Sequence, residues 1–290
     1  MSSRPVSKVI SGSVQHDGAG VKLLRVLTLS TVKEFDPFLM LDVFNSTDPD
    51  DYIKGFPWHP HRGIETITYL INGRIEHGDS LGNKGTIEDG CCQWMTAGSG
   101  IIHKEMPKPS KKMFGFQLWL NLPAKDKMCT PMYHDITREM VPEIKEEGCT
   151  VKIIAGRYKN VSGVFKGDYV KTNILDVDMS KNSDWSFETN DKSTVFVYIF
   201  EGSGCFDEKN NNYIAEKNAV LFGSGRELRV HSGDNGIRFI VFTGNPLEEP
   251  VAWGGPVVMN TKEELENAFK EIDNGNFIKT GNQNKYDLNL

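Results

Sequence analysis

The chain has 290 residues, which at roughly 150 residues per domain is enough for two domains that bury their own cores without disulfides. Its composition, 38% hydrophobic and 25% charged, is that of a folded globular protein and excludes disordered or fibrous classes. With 33 Lys and Arg against 39 Asp and Glu the net charge is −6, so there is no basic surface for direct nucleic-acid binding by counterion release.

In chain order the sequence reads as short strands separated by Gly, Asn and Asp turns, the pattern of an all-β sandwich or barrel. The N-terminal half predicts strands at Val21 to Leu29, Glu65 to Ile71, Ile101 to Met106 and Phe114 to Leu122. In the last of these, alternation sets Phe114, Phe116, Leu118, Leu120 and Leu122 on one face and Gln117, Trp119 and Asn121 on the other, and either face could line an interior. Alternation lapses from Pro123 to Gly148, a polar stretch rich in charge. Strands resume at Val151 to Ile154, Thr172 to Met179, Ser193 to Phe200, Ala219 to Phe222 and Ile237 to Thr243. The clearest helix follows Thr261, which forms a capping box with Glu264; Leu265, Ala268, Phe269 and Ile272 make its apolar stripe and Gly275 ends it.

The longest apolar runs, Val195 to Phe200 and Phe239 to Phe242, fall far short of the roughly 20 residues of a membrane span. The first twenty residues lack the apolar stretch of a secretory signal, so a cytoplasmic protein without membrane association is expected. The five cysteines, Cys91, Cys92, Cys129, Cys149 and Cys205, contain no CxxC pair and read as reduced thiols.

Internal similarity sets the domain organisation. Thr66–Gly73 (TITYLING) aligns with Val195–Gly202 (VFVYIFEG) at an offset of 129, and Gly98-Ser99-Gly100 with Gly223-Ser224-Gly225 at an offset of 125. Two similar β domains in tandem follow, 1–140 and 141–290, the second carrying the C-terminal helix.

Two pairs of side chains carry candidate metal chemistry. His59 and His61 flank Pro60, and residues two apart on a strand project from one face. His103 and Glu105, again two apart, follow 42 residues after His61. Glu65, four after His61, is a competing carboxylate if the same strand continues through it. Imidazole with carboxylate suits Fe, Mn, Ni, Cu, Zn or Co, whereas Ca and Mg want almost all oxygen. Three His and one Glu leave open positions on an octahedral ion, as a catalytic centre requires. His77, His134 and His231 are isolated and read as surface or satisfied core histidines, and Lys108, Lys111 and Lys112 as a solvated loop. The vicinal Cys91 and Cys92 read as neighbours on opposite faces of a strand.

These blocks resemble the pirin family of the cupin superfamily. The resemblance rests on Asp36-Pro37-Phe38-Leu39, the His59–Thr66 block HPHRGIET, the Gln93–Gly98 block QWMTAG, His103 with Glu105-Met106-Pro107, Gln117-Leu118-Trp119, and Gly255-Pro256 with Met259-Asn260-Thr261. It implies two tandem jelly-roll barrels of cupin type and a metal held by His59, His61, His103 and Glu105, with Glu105 preferred to Glu65. At the repeat offsets the counterparts of those four are Glu188, Asn190, Leu228 and Val230, so the C-terminal barrel is expected to bind no metal.

The resemblance implies two functions. One is a flavonol dioxygenase of the quercetinase type. In it a divalent metal, Fe(II) first among the candidates, takes a flavonol-like substrate and dioxygen, Glu105 doubles as general base, and Trp94, Met95, Met106 and Trp119 line the wall. The other is an iron-dependent, redox-sensing transcriptional co-regulator acting through a protein partner, with a nuclear location if the source is eukaryotic. The ready metal chemistry and the lack of a basic nuclear-import run favour the enzyme.

Overall fold

The computed structural model describes residues 2–207 and 212–280. The strands run as β1 (Val6–Ser11), β2 (Ser13–Asp17), β3 (Val21–Leu27), β4 (Phe38–Ser46), β5 (Phe56–His61), β6 (Ile64–Asn72), β7 (Ile75–Asp79) and β8 (Lys84–Ile87). They continue as β9 (Cys92–Thr96), β10 (Ile101–Pro107), β11 (Met113–Asn121), β12 (Met132–Ile136), β13 (Glu143–Glu146) and β14 (Cys149–Ala155). The remainder are β15 (Arg157–Tyr158), β16 (Val161–Ser162), β17 (Thr172–Met179), β18 (Asp184–Glu188), β19 (Thr194–Cys205), β20 (Tyr213–Ala215), β21 (Asn218–Phe222), β22 (Glu227–Gly244), β23 (Ala252–Gly254) and β24 (Val257–Met259). A single turn, α1 (Val32–Phe35), and a longer helix, α2 (Lys262–Asp273), complete the elements used below. The all-β class with a short C-terminal helix is as expected.

The chain forms two compact units. The N-proximal unit gathers Ser13–Val32, Phe38–Arg138 and the segment from Leu247 onward; the C-proximal unit gathers the segment up to Gly12, Lys33–Pro37 and Glu139–Pro246. The expected division into 1–140 and 141–290 follows chain order, whereas the units exchange segments at both ends. The physical reason at the start of the chain is that β1 pairs with β21, giving the first strand to the later unit.

In the N-proximal unit a four-stranded sheet has the order β5-β10-β7-β8, and a seven-stranded sheet the order β12-β9-β6-β11-β4-β3-β2. β6 is buried at every position except Asn72, so both its faces are covered, Thr66 and Thr68 on one and Ile67 and Tyr69 on the other. β3 stops at Leu27, short of the expected Leu29, because Thr28 turns outward and its side chain caps a 3-10 turn, accepting from the Ser30 amide. α2 begins as expected: Thr261 and Glu264 satisfy each other's backbone amides. Ala268 and Ile272 are buried, with Leu265 and Phe269 packed against Val257, Met259 and Phe277. Gly275, at φ +71°, takes the left-handed conformation that ends a helix most cheaply.

In the C-proximal unit one sheet runs β1-β21-β19-β22-β17-β14-β13, with β18 also on β22 and β20 on β19. Its core holds Val177, Trp185, Phe187, Val197, Leu228, Val230, Phe239 and Val241. The internal repeat is visible in the pairing: β6 lies between β9 and β11, and β19 between β21 and β22.

Candidate metal centre

β5 and β10 pair antiparallel with His103 opposite His59 and Ile101 opposite His61, so His59, His61 and His103 project from one face of the four-stranded sheet. Their ligand atoms all lie within 4.8 Å of one another, which places the three to hold a metal ion. The ring centroids are separated by 4.8 Å (His59 to His61), 4.3 Å (His59 to His103) and 5.0 Å (His61 to His103). His61 and His103 are buried, and half-buried His59 is the member that solvent reaches.

The tautomers follow from the hydrogen bonds. His59 Nδ1 lies 2.7 Å from the Pro57 carbonyl and His61 Nδ1 3.1 Å from the Pro256 carbonyl. A carbonyl only accepts, so each Nδ1 carries the proton and donates, leaving the Nε2 lone pair for a metal. His61 Nε2 has no hydrogen-bond partner among the described residues, and neither nitrogen of His103 has one. Burying imidazoles this way costs stability unless something binds them. The same burial holds His61 and His103 well below the usual histidine range, aided by the neighbouring imidazoles, and lowers His59 as well. Neutral, aligned imidazoles fit a transition-metal ion.

Glu105 is buried on the same β10 face as His103, but it is not in the group whose ligand atoms lie within 4.8 Å. Its carboxylate instead accepts from Gln117 Nε2 at 2.9 Å on both oxygens and from Thr68 Oγ1 at 3.3 Å. Burial raises its pKa, and these two donors partly counter that. Gln117 is itself held by Trp119, whose Nε1 donates to Gln117 Oε1 at 3.3 Å. The Gln117 and Trp119 face of β11 is therefore the one turned inward, with the Trp119 ring centroid 4.9 Å from that of His61.

Glu65 does not share a face with His61. The chain leaves β5 at Arg62 and Gly63 and enters β6 in the other sheet, so the alternation does not carry across. Gly63 sits at φ +76°, and a Cβ there would stand 1.9 Å from the Val258 oxygen. Glu65 instead accepts from Thr96 Oγ1 at 2.7 Å. Of the four expected wall residues, Met95 packs with Trp119 and Met40 beside the centre. Trp94 and Met106 neighbour Met95 and Glu105 in sequence and project from the opposite faces of their strands.

Arg62 anchors the segment that supports the centre. It donates to the carbonyls of Ser99 and Phe277 at 2.8 Å each, pairs with Glu271 at 2.7 Å, and lies over the Phe277 ring. Lys127 Nζ donates to the Gly63 carbonyl at 2.8 Å and to Asn121 Oδ1 at 2.7 Å, and burial pulls its pKa down to about 7.

His77 is buried opposite Glu105 on β7, its Nδ1 2.5 Å from the Tyr133 hydroxyl, and lies outside the metal group. His231 pairs with Asp184 at 2.7 Å. All five cysteines are free thiols. Nothing in the sequence marks Gln117, Thr68 or the Pro256 carbonyl as part of the centre: Gln117 and Pro256 lie in the Gln117-Leu118-Trp119 and Gly255-Pro256 blocks, but only strand pairing shows what they touch.

The chain matches the Pirin family over residues 20–120 and the Pirin C-terminal cupin domain over residues 174–278. It is 39% identical over 280 residues to a pirin-like protein of Caulobacter vibrioides, covering 96% of this chain and 100% of that one. It is 38% identical over 277 residues to a pirin-like protein of Solanum lycopersicum, covering 94% and 93%. The crystal structure of quercetin 2,3-dioxygenase from Acinetobacter baumannii superposes with a TM-score of 0.86 at 29% identity, covering 95% of this chain and 98% of that one. No helix among the described residues is long and apolar enough to cross a membrane. Both cupin domains are matched in order, the relatives run nearly end to end, and the histidine group sits where the HPHRG block places it: the chain belongs to the pirin family.

Proposed function

We propose that this protein is a metal-dependent flavonol dioxygenase of the quercetinase type, with its centre on His59, His61, His103 and Glu105. The observation that carries the reading is the group of three close imidazoles, two of them buried, with the His61 Nε2 and both His103 nitrogens unpartnered among the described residues. The quercetin dioxygenase named among the similar structures supports the substrate class. A divalent metal held there, Fe(II) first and Mn, Ni, Cu, Zn or Co as chemically acceptable substitutes, would supply a Lewis-acid centre that acidifies the hydroxyl and polarises the keto oxygen of a flavonol.

The chain's own residues supply the rest. Pro57 and Pro256 fix the imidazole tautomers through their carbonyls. Glu105, raised by burial, takes the proton of the flavonol hydroxyl or closes the ligand set by rotating away from Gln117. Gln117 and Thr68 restrain its carboxylate between those roles. Trp119, Met95 and Met40 form an apolar wall for a flat ring and exclude water from the reacting face.

The test is to incubate Fe(II)-loaded protein with quercetin under oxygen. One carbon monoxide released per dioxygen consumed, with loss of the flavonol absorbance, is expected for wild type and not for His59→Ala. Equal behaviour of the two proteins removes the enzymatic reading.

A further inference from the structure

Residues directly opposed in antiparallel register share a face of the sheet. Asp135, Gln93, Thr68 and Gln117 therefore form one transverse row across β12, β9, β6 and β11. Thr68 and Gln117 both bond Glu105, so this row faces the histidine group. Tyr133, Met95, Thr66 and Trp119 form the next row on the same face.

Gln93 differs from its row. It is 1% exposed, and among the described residues neither its Oε1 nor its Nε2 has a hydrogen-bond partner. Gln117, by contrast, has Glu105, Thr68 and Trp119. A buried amide with both ends unpaired meets its full desolvation cost and returns nothing to the fold, whereas methionine of similar size would fill the same space without that cost. Such local conflict marks a functional position.

We infer that Gln93 is a specificity-determining residue that reads a hydroxyl of the bound aromatic ligand remote from the oxygens that face the metal. This rests on the flavonol reading above. The amide offers one donor group and one acceptor, the complement of a phenolic hydroxyl. An ionised ligand group would call for a cation, and the row from Asp135 to Gln117 holds none. Gln93 lies one strand spacing, about 4.8 Å, beyond Thr68, so a multi-ring ligand seated at the histidines reaches it.

Quercetin and 3-hydroxyflavone share the hydroxyl and keto pair that faces the metal, but only quercetin carries further hydroxyls. Anaerobic titration of Fe(II)-loaded wild type and Gln93→Met with both flavonols, together with thermal unfolding of the metal-free proteins, separates the roles. We expect Gln93→Met to bind quercetin about tenfold more weakly. Its 3-hydroxyflavone affinity stays within about twofold, and the metal-free variant melts at or above the wild-type temperature. Unchanged quercetin affinity, equal losses for both flavonols, or a metal-free variant melting several degrees lower overturns the assignment of Gln93 alone. A wild type that binds neither flavonol overturns the flavonol reading and this inference with it.

Discussion

His103 is buried without a partner of its own: it is 1% exposed, and neither ring nitrogen is bonded among the described residues. Its spacing from Glu105 was legible in the sequence, and so was the His59 and His61 pair. Burial holds His61 and His103 well below the usual imidazole range, so the folded chain keeps them neutral at pH values where the unfolded chain, titrating near 6.5, takes up protons. Below about pH 6.5 the unfolded state therefore binds more protons, and stability falls with pH until the depressed folded values are reached. Glu105 acts with the opposite sign, because its raised carboxyl takes up its proton more readily in the folded state. Thermal unfolding of metal-free protein between about pH 7.5 and 5.5 should show a falling melting temperature, with a shallower slope in His103→Gln. An identical slope in the variant would show that His103 is not a source of the dependence.

At the scale of elements, the junction between β5 and β6 decides which carboxylate can approach the histidines. Strict alternation along one strand brings Glu65 to the face of His61; the turn at Arg62 and Gly63 moves the chain into a second sheet and puts Glu65 against Thr96. The signal for that turn is a glycine, but a glycine alone does not reveal that the Val258 carbonyl stands where a Cβ would go. Gly63→Ala has to displace the Val258 backbone and adopt positive φ, and should cost about 3 kcal/mol in chemical denaturation, with weaker metal binding by titration because Pro256, two residues before Val258, orients His61. Wild-type metal affinity in a variant destabilised to that extent would separate the turn from the centre. The capped start of α2 lies at the other extreme, since Thr261 and Glu264 define it with contacts three residues apart.

At the scale of the molecule, the repeat foresaw two related β units but not how the chain distributes itself between them. β1 pairs with β21 although more than 200 residues separate them. Arg4, 2% exposed, donates to Thr189 Oγ1 and to the Gly223, Asn190 and Ser193 carbonyls. Deleting residues 2–12 should therefore lower amide protection in β21 of the C-proximal unit, read by hydrogen exchange, far more than in β6. Equal loss in both strands would contradict the assignment of the first strand to that unit. Pairing also refines the repeat itself. On β22, Leu228 and Val230 lie opposite Phe187 and Trp185, so the C-proximal unit fills with apolar side chains, while Glu188, matched to His59 by the offset alone, is exposed.

What is local was already written in the chain: the strand period, the capping box, the two pairs of metal-binding residue types spaced for one face, and the loss of those types in the second repeat. Folding in three dimensions was needed to set which face of β11 turns inward, to turn Glu65 away, to bring Gln117 and Thr68 onto Glu105, and to leave Gln93 beside them without a partner among the described residues. The division is physical. Side-chain direction along a strand repeats every two residues and is written in the chain, whereas cross-strand register depends on turns and on pairing between distant segments.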